Sequence, residues 1–332
     1  MSKETIEWLN QNTLIGFTDV RGNAWHFDEN HQVAGLENHY TGAIPVEDVR
    51  SRLFNFELLR ASATFMAGEH ITTDPNRIGV MRSDTGDVLG VFKSSYQIHQ
   101  YDEWLVRSVE NLLDDSDVKI GSAGLLRNGA QAWVEIGSDT LQKHSDFEYR
   151  VSLLAATSCD GSLATQYRTE VSATVCDNTL AIATREGRAF KTRHTTNSRL
   201  KIQNAREVLG LLGNLSDDFA SYLDGMTGLT VTDEQWYKFL DEYVPLPEDA
   251  GRGQTMAQNK RDSLNDFYFH NDMVRDWNGT AFGVMHAVNT YEHHGASVRG
   301  ASRAERNWSR MATGASSATD SDVLNALNKV LV

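Results

Sequence analysis

Seven cations, Arg185, Arg188, Lys191, Arg193, Arg199, Lys201 and Arg206, crowd into one short segment in which Glu186 is the only acid. That segment carries +6 in a chain of formal net charge −14, which leaves −20 on the remainder. Positive charge concentrated in this way suits the pairing of guanidinium and ammonium groups with phosphate oxygens. Arg188, Lys191 and Arg193 fit a strand or its connecting turn. Arg199 and Arg206 lie seven apart on a helical stretch, about two turns, and so share a face. Thr192, Thr195, Thr196, Asn197 and Ser198 add hydrogen-bond donors, and a helix starting near Ser198 adds anion-favouring amides. The plainer reading of the same charges is a solvated basic surface.

A second basic group stands nearer the C-terminus, in "SVRGASRAERNWSRMATG". Arg299, Arg303, Arg306 and Arg310 recur at i, i+4, i+7 and i+11, a spacing that predicts one face of a single helix. Within that stripe Glu305 is the only acid, and Trp308 lies close by. Arginines interleaved with an aromatic ring suit single-stranded nucleic acid, whose bases stack while its phosphates pair with cations. Tyr96 and His99 are further stacking candidates. The alternative is an exposed helix that forms salt bridges with acidic neighbours.

Other chemistries find little purchase. Neither GxxxxGK[ST] nor a strand followed by GxGxxG occurs, so nucleotide-driven motors and dinucleotide enzymes are not expected. His286, His293 and His294 form one candidate metal group, and Cys159, Cys176 and His194 another. Neither has the spacing of CxxC or HExxH sites, and the expectation is no metal. Cys176 with His194 could be drawn as a nucleophile pair, but a small buried side chain at a strand end is the default. We therefore expect no catalytic residue, no cofactor and no enzyme. Two cysteines do not make a disulfide framework, and no long apolar run occurs at the N-terminus or elsewhere. These features point to a reducing cytoplasm and no membrane.

The elements that must position the cations read as an α+β fold: an antiparallel sheet with hairpins, helices packed on one face, and a helical C-terminal part. Residues 1–50 form an N-terminal region, 51–205 a core domain and 206–332 a helical region. "RIGVMRSDTGDVLGVFKSSYQIH" predicts a hairpin turning at Asp84-Thr85-Gly86-Asp87, and "VKIGSAGLLRNGAQAWVEIG" another at Asn128-Gly129. "YDEWLVRSVENLLDD" predicts an amphipathic helix between them. Long strands follow in "EYRVSLLAATSCDGS" and "ATQYRTEVSATVCDNTLAIAT". After Asn197 the pattern turns helical, with "TDEQWYKFLDEYV" capped by a threonine and stopped by Pro245.

The stretches "VMRSDTGDVLGVFKSSYQIHQ", "SCDGS", "VCDNTL" and "RHTTN" resemble phage and plasmid proteins that carry a prokaryotic domain of unknown function. The resemblance spans about residues 50–310 and includes "TAFGVMHAVNTYEHH". The order hairpin, helix, antiparallel strands and basic strand-to-helix segment is also similar to the single-strand annealing proteins of phage recombination and their eukaryotic Rad counterparts. That similarity implies ATP-independent binding and annealing of single-stranded DNA by a homo-oligomeric ring or filament. The alternative expectation is an acidic interaction or anti-defence protein that binds a host protein through the −20 remainder.

Overall fold

The computed structural model describes residues 5–19, 37–109, 118–138, 141–144, 147–173, 179–180, 189–196, 198, 212–299 and 302–331. Eleven strands lie in these residues: β1 Thr13–Ile15, β2 Leu58–Ala67, β3 His70–Arg82, β4 Val88–Lys93, β5 Val118–Leu126, β6 Gln131–Ser138, β7 Gln142–His144, β8 Phe147–Ser158, β9 Thr165–Ala173, β10 Thr179–Leu180 and β11 Ala189–Thr192. The helices are α1 Ile6–Asn12, α2 Val46–Asp48, α3 Asp102–Arg107, α4 Leu212–Gly228, α5 Asp233–Tyr243, α6 Arg252–His270, α7 Ala281–Thr290, α8 Arg303–Thr313 and α9 Ala315–Leu331. Wider, π-type turns continue α2 through Leu53 and α7 through Gly295, and α3 is itself of this type. The fold is α+β with antiparallel sheets and a helical C-terminal part.

The larger sheet runs β1-β5-β6-β8-β9, all antiparallel. Along the outer edge of β9, β10 pairs at Val171 and Ser172, while β11 pairs from Thr165 to Arg168. The second sheet is the meander β2-β3-β4. Both hairpin turns expected from Asp84–Asp87 and Asn128-Gly129 are present, with Gly86 at φ 77° and Gly129 at φ 83° supplying the left-handed backbone. The β2–β3 hairpin is not foreshadowed by alternation. Pro75, which has no amide hydrogen, sits where pairing lapses between Ile78↔Ser62 and Thr73↔Thr64.

Alternation along β6 and β8 buries both faces of the large sheet, so helices reach both faces rather than one. On one face Ala132, Val134, Ile136, Leu153 and Ala155 pack with Trp104-flanking residues Leu105 and Val106, and with Val49, Leu53 and Val80 of the smaller sheet's neighbourhood. At the far end of that face, Phe147, Tyr149 and Val151 meet Phe219, Phe282 and Met285 of the C-terminal helices. α7 is buried at every position, which its apolar "AFGVMHAV" requires of a central helix. On the opposite face Trp133, Leu154 and Ala156 pack with Leu9, Trp308 and Met311. This second layer is the one that holds α8.

Candidate phosphate-binding site

α8 is defined at both ends. Ser302 accepts a hydrogen bond from the Glu305 amide at 3.0 Å as N-cap, and Gly314 closes the C-terminus at φ 80°. Gln166 of β9 donates to the Ala312 carbonyl at 2.7 Å, and the Arg168 guanidinium reaches the same oxygen at 3.4 Å. A cation at this end favours the helix dipole. The buried side of α8 carries Asn307, Trp308, Met311 and Ala312. Trp308 is 2% exposed and stacks on Trp133 with ring centroids 4.7 Å apart. Trp133 in turn lies across Gly124, where a Cβ would meet its ring at 2.2 Å. Trp308 thus anchors the helix and offers no ring to a base, a correction to its expected role.

The arginines occupy the other side. Arg303 donates to the His293 carbonyl at 3.2 Å, and Arg306 donates to the Glu292 carbonyl at 2.6 Å and carboxylate at 2.5 Å. Arg310 lies 3.8 Å from the same carboxylate and donates to Thr319 at 2.7 Å. Lys260 approaches Glu292 at 3.4 Å. Burial pushes the Glu292 carboxyl up, but Lys260, Arg306 and Arg310 outweigh it and hold it below the usual range. One carboxylate thus serves three cations. Burial lowers the Arg310 and Arg303 guanidinium pKa values, and the charge of Arg306 adds to the effect at both. Positive charge is in excess here and incompletely hydrated, the condition under which an anion is bound.

Beside this network lies a cavity of about 370 Å³, and Arg306 and Arg310 line it together with Arg127 and Arg299. Arg127 comes from the β5–β6 turn, where it adopts φ 54° and pairs with Asp160 at 2.9 Å. Arg299 is exposed and precedes α8 rather than standing on it, so the four-arginine helical stripe is corrected to three helical residues plus one from the preceding segment. Arg303 turns instead to the His293 carbonyl. Sequence reading overlooked Arg127, which stands next to a turn signal, and Glu292, whose clamp on Arg306 comes from "YEHHG" fourteen residues upstream.

Of the first basic group, Lys191 and Arg193 are described and exposed, whereas Thr192 and His194 between and after them are buried. Lys191 sits opposite Gln166, so it shares the sheet face that carries α8. Arg185, Arg188, Arg199, Lys201 and Arg206 lie outside the described residues, as do Cys176, Asp177 and Asn178.

The remaining stacking candidates belong to the other face. Phe92, Tyr96, His194, His99 and Trp104 form a column in which successive ring centroids are 4.0, 4.8, 3.8 and 3.6 Å apart. Tyr96 and His99 are therefore sandwiched between the protein's own rings. His194 donates from Nδ1 to the Gln97 carbonyl at 3.0 Å, which leaves Nε2 to accept from Thr157 at 3.3 Å. Thr157 and Thr165 are 2.7 Å apart, and Thr165 is 2.6 Å from His99 Nδ1. Ser198 meets His99 Nε2 at 2.9 Å. One hydroxyl orientation satisfies the whole chain, with His99 donating to Thr165, Thr165 to Thr157 and Thr157 to His194. Burial lowers the His194 pKa to about 4, so its ring is neutral. Nearby Cys159 is fully buried, and burial pushes its thiol up to about 12. It has no nucleophilic character at neutral pH.

The stretches that brought "YQIHQ", "SCDGS" and "RHTTN" to notice are thus joined in space, and a family model, Domain of unknown function (DUF932), matches residues 88–313. The chain belongs to the DUF932 family. The DUF932 match begins at the first residue of β4 and ends at the last residue of α8. It therefore contains the ring column, β11 and all four cavity arginines, and leaves out the β2–β3 hairpin and α9. No curated protein and no solved structure matches the chain. Among the described residues, no three His, Cys, Asp or Glu side chains gather as a metal group, and no helix is long and apolar enough to cross a membrane.

Proposed function

We propose that this DUF932 protein binds single-stranded nucleic acid by its phosphate backbone, without nucleotide hydrolysis, and acts as a strand-annealing homo-oligomer. The observation that carries the reading is the convergence of Arg127, Arg299, Arg306 and Arg310 on one cavity in a chain of net charge −14. Lys191 adds positive charge on the same sheet face, Arg193 stands exposed just past the end of β11, and β11 pairs with β9 alone among the described residues. Negative charge gathers in another segment of the chain. Between Asp233 and Asp276, ten exposed acids face five cations. Self-assembly is supported by the three-stranded sheet, whose outer strands β2 and β4 each pair only with β3 among the described residues.

Titration of a labelled single-stranded oligonucleotide at several salt concentrations tests the reading. Each phosphate contact contributes about −0.7 to the slope of log affinity against log salt, so one phosphate in the cavity and two on Lys191 and Arg193 predict a slope of about −2. Absence of salt-sensitive binding at low ionic strength overturns it. The acidic segment, with Tyr237 50% and Met256 53% exposed, would then favour a second reading, a surface that docks a basic protein partner.

A further inference from the structure

We infer that the α8 cavity holds a single nucleotide unit, one phosphate on one nucleoside, either free or at the 5′ end of a strand. The inference rests on the phosphate-binding reading above and narrows it from a backbone groove to an end-recognising pocket. Size is the first argument. A strand tracked along its backbone occupies about 4 to 16 nucleotides on a binding fold. The cavity of about 370 Å³ stands at the lower end of the roughly 300–1,000 Å³ range that encloses a small molecule. It suits one nucleotide.

Lining chemistry is the second argument. Four arginines would saturate a phosphate, yet inorganic phosphate leaves other groups of the same cavity unused. Gln131 is fully buried, donates through Nε2 to Ser162 at 2.7 Å, and has no partner for its Oε1. An unpartnered buried carbonyl is costly and calls for a donor. Glu305 lines the cavity as well, so the lining is not built for anions alone. Leu126 and Val298 supply apolar wall. Donors for an anion, an acceptor for an N–H or O–H group and an apolar surface together fit a nucleotide. Arg299, exposed and joined by no ion pair to another described residue, is placed to take the terminal phosphate, whose second negative charge an internal phosphodiester lacks.

The test uses the full chain and four probes: a labelled 5′-phosphorylated oligonucleotide, its 5′-hydroxyl counterpart, free nucleoside monophosphates and inorganic phosphate. The expected result is at least about tenfold tighter binding of the phosphorylated strand. Nucleoside monophosphates should compete at one per chain, and inorganic phosphate at least about tenfold more weakly. Competition by the free monophosphate together with equal binding of both strands assigns the pocket to a free nucleotide. Preference for the phosphorylated strand assigns it to strand ends. Two variants locate the effect. Gln131→Leu should bring the monophosphate down to the affinity of inorganic phosphate. Arg299→Ala, at an exposed position that folding tolerates, should weaken the monophosphate about tenfold. Strand binding that ignores both the 5′ group and free nucleotides overturns the inference while leaving backbone binding intact. Loss of all binding overturns both, and an unaltered monophosphate affinity in Arg299→Ala overturns the placement.

Discussion

The ring column and the arginine cavity lie on opposite faces of one sheet and are built on contrary principles. In the column every described polar atom of His194 has a partner, the rings are stacked on one another, and burial keeps His194 neutral. At the cavity three cations share Glu292, Gln131 keeps an unpartnered oxygen, and the space stays open. Both contain histidines, hydroxyls or cations that attract attention in the sequence. A saturated set of groups has nothing left to offer a ligand, whereas an unsaturated one does. The column is architecture: it ties β11 to the 92–104 segment and so fixes the edge that displays Lys191 and Arg193. The cavity is the place to look for binding.

The contrast breaks most visibly with pH. His194 and His286 both have pKa values lowered to about 4 by burial, against about 6.5 for a free histidine. Between these values the unfolded chain takes up protons that the folded chain refuses. Their stabilisation is present above pH 6.5 and is lost as pH falls to about 4, on the order of 3 kcal/mol for each. Urea midpoints measured across that range should fall steeply, and His194→Phe, which keeps a ring in the column, should flatten part of the fall. A midpoint independent of pH in the wild-type chain would mean that the column is hydrated and its histidine accessible.

Next in size is the node beneath the cavity. Glu292→Gln removes the carboxylate that Lys260, Arg306 and Arg310 share. Removing one member of a largely buried ion pair destabilises by about 3 kcal/mol or more. Thermal melting should show the loss, while strand affinity at low temperature should hold or rise because the cavity becomes more positive. A simultaneous loss of affinity would make Glu292 part of the ligand site rather than its foundation. Replacing Arg306 and Arg310 together by Ala should lower affinity instead. Two charge-assisted bonds of about 1.5 kcal/mol each correspond to roughly a hundredfold loss of affinity. The same double change in a chain whose affinity is unaltered would move the binding surface away from α8.

Much of this architecture was legible where one side of an element is buried. Thr232 caps α5 and Gln235 completes the box, as their spacing indicates. α8 is amphipathic enough to separate its arginines from Met311 and Ala312. The β2–β3 hairpin was not legible because most of it meets solvent on both faces: Phe65, Met66 and Ile71 are 49%, 75% and 70% exposed, and no alternation is enforced. The site was legible in its cations and not in its logic. Arginines three and seven apart declare a face, but the carboxylate that holds them arrives from another helix, and Arg127 from a turn on the sheet. The ring column joins residues 92–104 to residue 194, and no local pattern announces a contact of that separation.

The smallest effect is also the most discriminating. Lys191 and Arg193 are exposed, and no ion pair joins either to another described residue. Changing both to Gln should leave melting unaltered, since surface charges of this kind add little to stability. If a strand runs along the β11 edge after its end enters the cavity, the double change should reduce the salt slope by about 1.4, two contacts at about 0.7 each, and weaken a long oligonucleotide several-fold. A free nucleotide, confined to the cavity, should bind the variant as it binds the wild type. The pair of measurements separates edge from pocket. Equal losses for strand and nucleotide would merge the two into one electrostatic surface, and no loss for either would confine recognition to α8 and the turn that carries Arg127.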